Sequence, residues 1–96
     1  MKHYSDSDIQ KLREQARETD LIIYRSDTRN AAFFVCSRMR EWLARYDFPL
    51  ERMLTEGIPA IELLDKSNND LVALMATEAA LLRRSRGITD IIERGA

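Results

Sequence analysis

The sequence predicts an all-α protein: a compact bundle of three long helices joined by two or three short helical turns. Three observations carry that expectation. Apolar residues recur at helical spacing in three windows of the chain, and Ser, Asp and Asn clusters stand just ahead of those windows. The few chain-breaking residues, 3 Gly and 2 Pro in 96, all fall outside them.

In the first window Ile9, Leu12, Ala16, Thr19 and Ile23 share a face, and Ser7 with Gln10 is spaced as a capping box, so a helix is expected over about Asp6 to Tyr24. Leu21 and Ile22 point away from that stripe. The end of the helix should therefore be enclosed on several sides, with a short strand at Leu21 to Tyr24 as the alternative. Asp27, three residues before Asn30, marks an N-cap for a second helix of about Thr28 to Tyr46. Its core stripe is Ala32, Val35, Cys36, Met39, Trp42, Leu43 and Tyr46, and Phe33 and Phe34 lie outside it on opposite sides. Pro49 opens and Gly57 closes a two-turn helix with Leu50, Met53 and Leu54 inward; Pro59 opens another turn carrying Ile61, Leu63 and Leu64. Ser67, Asn68 and Asn69 supply the loop and cap for a third long helix, about Asp70 to Arg86, with Gly87 as its C-terminal cap. Thr89 and Asp90 cap a last turn through Ile91 and Ile92, and residues 1–5 and 94–96 are expected to fray.

Composition bounds what such a bundle can do. The chain is 45% hydrophobic and 32% charged, with 15 basic against 16 acidic residues and a net charge of −1. These values fit one ordinary globular domain over residues 1–96, too thin in its core to make a homodimer surprising, and exclude a polyanion binder acting through its whole surface. Cys36 is the only cysteine, so no internal disulfide forms and a reducing cytoplasm is expected. The longest apolar runs, Ala31 to Cys36 and Leu71 to Ala76, are far too short to cross a bilayer, and the first ten residues lack the apolar core of a signal peptide.

Catalytic chemistry finds little to work with. The single histidine, His3, sits in the N-terminal tail, Cys36 lies on an apolar stripe, and there is no metal-binding, phosphate-loop or nucleophile-elbow motif. Glu14 and Glu18 are one turn apart but have no Glu-x-x-His partner. The expectation is a protein without enzymatic activity, cofactor, metal or small-molecule substrate.

Two features point to binding. Glu78 interrupts the apolar arc formed on the third long helix by Leu71, Leu74, Met75, Leu81 and Leu82. An ionised carboxylate there requires an arginine from another helix, with Arg38 and Arg45 of the second helix as the candidates, or a place at a rim or interface. The opposite face carries Ala73, Ala76 and Ala80, small enough for close helix approach on a second side. The candidate protein-binding residues are accordingly Phe33 and Phe34 as apolar anchors and Arg38, Arg45 and Glu78 as oriented polar contacts. The alternative is a small DNA-binding regulator in which Arg83, Arg84 and Arg86 engage phosphates, although the dipole at a helix C-terminus also favours those arginines. A helix-turn-helix drawn through Gly57 and Pro59 is weakened by its second segment, IPAIELL, which lacks base-reading side chains. A self-associating structural subunit is the third class.

From Val35 to Ala79, about half of the chain, the text VCSRMREWLARYDFPLERMLTEGIPAIELLDKSNNDLVALMATEA resembles a group of short helical proteins encoded in bacteriophages and prophages. The shared pattern is a Cys-Ser-Arg helix start, an aromatic followed by Arg-Tyr before a short helix, the segment Gly57-Ile58-Pro59, and a final helix of small and aliphatic residues. This chain departs from it with Asn69-Asp70-Leu71 where the group carries Gly-Asp-Ala, and with its longer N-terminal helix. The resemblance implies a phage or bacterial cytoplasmic origin, and the leading expectation for such a chain without catalytic groups is a protein-binding factor with an accessory, assembly or host-directed inhibitory role. It carries no activity with it.

Overall fold

The computed structural model describes residues 3–32 and 36–86. They form six helices, α1 (Asp6–Glu18), α2 (Arg25–Ala32), α3 (Cys36–Arg45), α4 (Leu50–Thr55), α5 (Ala60–Ser67) and α6 (Leu71–Arg86), with a two-stranded antiparallel ladder of β1 (Ile22–Ile23) and β2 (Ile58–Pro59). The architecture is therefore mostly helical, but more subdivided than three long rods.

The differences have local causes. α1 begins with a capping box made by Ser5 and Asp8 rather than Ser7 and Gln10: Asp8 N–H donates to Ser5 Oγ, and Ser5 N–H donates back to Asp8 Oδ2. It ends six residues earlier than the apolar periodicity suggests, because Asp20 adopts the left-handed conformation at φ +48°. Asp20 N–H then bonds to Arg17 O and Leu21 N–H to Ala16 O, the paired closure of a Schellman motif. The chain leaves in the extended direction, so the alternative strand ending is the one realised: Ile22 pairs with Pro59 and Ile23 with Ile58.

The same closure ends two further helices. Asp47 at φ +62° lets Phe48 N–H reach Leu43 O, and Asn68 at φ +54° lets Asn69 N–H reach Leu64 O. In each case a short polar side chain occupies the position usually held by glycine. Phe48 is thereby turned into the core, where the Arg52 guanidinium and the Lys66 ammonium lie 5.8 and 4.7 Å from its ring centre.

The expected Thr28–Tyr46 helix is represented by α2 and α3, and residues 33–35 lie outside the described residues. α2 starts at Arg25, so Asp27 sits inside its first turn and reaches back to accept the Tyr24 N–H at 2.9 Å. Met39, Trp42 and Leu43 of α3 are buried as expected. Leu54 of α4 is not: at 44% exposure it lies off the face that Met53 and the half-buried Leu50 turn to the core. Asp70, rather than residues 67–69, caps α6, accepting from Val72 and Ala73 N–H at 2.9 and 3.2 Å. The same carboxylate accepts from Trp42 Nε1 and the Tyr46 hydroxyl, joining α3 to the start of α6.

α6 packs against α1, α2, α5 and β1, and its deepest positions are the small ones, Ala73, Ala76, Thr77 and Ala80. Small side chains let neighbouring backbones approach, so the alanine face is the buried seam. Of the expected apolar arc only Leu74 is buried, while Leu71 and Leu82 are exposed.

Gly57, at φ +78°, lies against β1, where an added Cβ would stand 2.6 Å from Ile22 Cγ2 and 2.8 Å from Ile23 O. Gly57→Ala is expected to destabilise the fold by about 1–3 kcal/mol, through strain and displacement of the β1–β2 contact, measured as a lower urea midpoint.

Candidate protein-binding site

The arginines near the end of α6 do not act as one cluster. Arg83 turns inward, its side chain 10% exposed, and Nε donates to Asp27 Oδ1 at 3.1 Å. Nη2 donates to the backbone oxygen of Ile22 at 3.1 Å, and the guanidinium stands 5.0 Å from the Tyr24 ring centre. Asp27 is 1% exposed. Burial pushes its carboxyl above the ordinary range, against the opposite pull of the Tyr24 N–H and Arg83. Arg84 and Arg86 are exposed. The phosphate-binding trio expected from the sequence therefore loses Arg83, whose charge is spent on Asp27 inside the fold.

This ion pair joins α2 to α6. Glu78 is half-buried at the groove rim, and the Tyr4 hydroxyl donates to its Oε1 at 3.0 Å. Burial, followed by the Glu78 carboxylate, pushes the Tyr4 hydroxyl pKa upward. Arg38 and Arg45 are exposed on α3, His3 is exposed, and Phe33 and Phe34 lie outside the described residues, as does the Cys36 side chain.

Between α1 and α6 runs an open groove of about 580 Å³. Leu12 of α1 and Leu81 and Leu82 of α6 give it an apolar lining; Glu18 edges one wall, and Glu78 and Arg84 the other. Leu82 is 53% exposed, because the small face of α6 faces the core and Leu82 falls outside it. A second hollow of about 340 Å³ lies along α1 beside Ile9, Arg13, Arg17 and Asn69. It is a poorer docking surface, since Arg13 is already occupied by Asp65 and by Asn69 Oδ1.

The groove combines an apolar strip with charges at its edges, a pattern that suits recognition of a protein surface. Among the described residues no three His, Cys, Asp or Glu side chains group as metal ligands, and no helix is long and apolar enough to cross a membrane. The sequence reading marked Glu78 and Arg84 but assigned Leu82 to the core. A helical wheel weighted by side-chain size, with the alanines placed inward, would have exposed it.

No protein-family model matches the chain, and no curated protein or solved structure shows significant similarity to it.

The Tyr4 hydroxyl sets the edge of the groove through Glu78, and its raised pKa gives a definite sign. Its contribution is fully present below the ordinary value of 10.0 and is lost as pH rises beyond it. Tyr4→Phe should cost about 1 kcal/mol at neutral pH, and the difference between wild type and variant in urea unfolding should shrink between about pH 10 and pH 12.

Proposed function

We propose that the protein is a non-enzymatic binding factor that docks an amphipathic helix of a protein partner in the groove between α1 and α6. The observation that carries this reading is the exposed Leu82 beside the apolar strip of Leu12 and Leu81. A partner helix would lay its apolar stripe along that strip, the helix-in-groove mode of recognition. Its flanking residues would present a base towards Glu18 and Glu78 and an acid towards Arg84. Arg38 and Arg45, exposed on α3, offer further oriented charges; Phe33 and Phe34, the anchors that the sequence marks out, lie outside the described residues.

The resemblance over Val35–Ala79 supports a phage or prophage setting in the bacterial cytoplasm, and with it an accessory, assembly or host-directed inhibitory role. A groove that binds by shape and charge serves any of these without catalytic groups. Nucleic-acid binding is the weaker reading, because it keeps only Arg84 and Arg86 of its expected three contacts.

Leu82→Glu tests the docking site with little risk to the fold, since the replaced side chain is mostly in solvent. Tagged wild-type protein, incubated with bacterial lysate treated or untreated with nuclease, should in both cases retain a stoichiometric protein other than itself, and Leu82→Glu should reduce that retention about tenfold or more. Equal retention by both proteins contradicts the site. Recovery of nucleic acid alone, lost on nuclease treatment, contradicts the function.

A further inference from the structure

The face that carries the groove is complementary to itself. Leu82 is the most exposed large apolar side chain among the described residues, and it stands beside the recess lined by Leu12 and Leu81. One face thus presents both a knob and a hole. Its charges are of both signs, with Glu18 on the α1 wall and Arg84 beside Glu78 on the α6 wall. Glu18 and Arg84 are exposed, and neither has an ion-pair partner among the described residues.

Twofold symmetry demands this kind of patch, because in an isologous contact each residue must suit a partner on the same surface of the other copy. In such a contact Leu82 of each chain would enter the recess of the other, and Glu18 of each would face Arg84 of the other. The net charge of −1 per chain opposes association very little. From this self-complementarity we infer that the α1–α6 face is the interface of a homodimer. The inference rests on the groove being a protein-docking surface: the second copy is its resting occupant, and a partner helix gains access by displacing it.

The test is the mass of the full chain in solution by sedimentation equilibrium, from about 1 μM to about 500 μM. The expected result is a rise from 11.2 kDa towards twice that value with increasing concentration. Leu82→Glu should raise the dimer dissociation constant about tenfold or more. Glu18→Arg and Arg84→Glu should each weaken the dimer, and the two together should restore it, since the swapped charges again face one another across the axis. Equimolar Glu18→Arg and Arg84→Glu chains should also dimerise with one another, a result that charges paired only within one chain would not produce.

A mass of 11.2 kDa throughout overturns the inference, as does a dimer indifferent to Leu82→Glu and to the charge swap. A monomeric chain that still retains a second protein through Leu82 overturns the dimer but leaves the docking function standing. A charge-swap-dependent dimer that retains no other protein establishes the interface and overturns the second partner.

Discussion

The fold depends on one buried charge contact. Arg83 comes from the last turn of α6 and Asp27 from the first turn of α2, 56 residues away in the chain, with the Ile22 carbonyl and the Tyr24 ring completing the enclosure. Neither charge tolerates burial alone: the desolvation of a lone guanidinium or carboxylate costs several kcal/mol, and pairing offsets it only when the remaining donors and acceptors are filled. Here they are filled by the chain itself, since Asp27 also accepts the Tyr24 N–H and Arg83 also donates to Ile22 O. The contact therefore positions three segments at once: the strand β1, the start of α2 and the end of α6.

The placement of the groove follows from that contact. With Arg83 directed inward and the alanine face seated against its neighbours, Leu82 and Arg84, the residues on either side of Arg83, are left on the outer surfaces of α6. α1 is brought alongside by its Schellman closure at Asp20, which sends the chain directly into β1. At the other end of α6, Asp70 caps the helix and holds Trp42 and Tyr46, so α3 is tied to the same axis. α4 and α5 are joined by the Arg52–Glu62 pair, at 2.6 and 2.7 Å, and Arg52 together with Lys66 of α5 also covers the Phe48 ring. In the proposed docking mode, rigid supports of this kind would favour Leu82 as an anchor, because little ordering would remain to oppose binding.

Much of this was legible in the sequence, and what was not has physical reasons. The helical windows, the end of α3, the regions that hold the caps of α1 and α6, and the core stripe of Met39, Trp42 and Leu43 follow from local spacing and capping chemistry, although the capping side chains are Ser5, Asp8 and Asp70 rather than Ser7, Gln10 and residues 67–69. The end of α1 at Asp20 does not, because the left-handed closure is read most readily from glycine, and aspartate at that position looks like an ordinary polar surface residue. The alanine face of α6 packs closely as its small side chains imply, but of the leucine arc expected to be buried on the other side only Leu74 is, because the closeness of the packed backbones favours alanine over leucine. The Asp27–Arg83 pair joins residues with no periodic relation, so nothing local distinguishes Arg83 from Arg84. The anchor Leu82 was hidden by the same error, while its neighbours Glu78 and Arg84 were marked by charge alone.

The central claim is that the buried Asp27–Arg83 contact is a single energetic unit holding β1, α2 and α6 together. A double-mutant cycle tests it most directly: wild type, Asp27→Asn, Arg83→Gln and the double variant, each unfolded in urea. Each single substitution should cost about 2–4 kcal/mol, and the double variant should cost less than their sum by about 2 kcal/mol or more. Losses that simply add would show two independent residues and contradict the account.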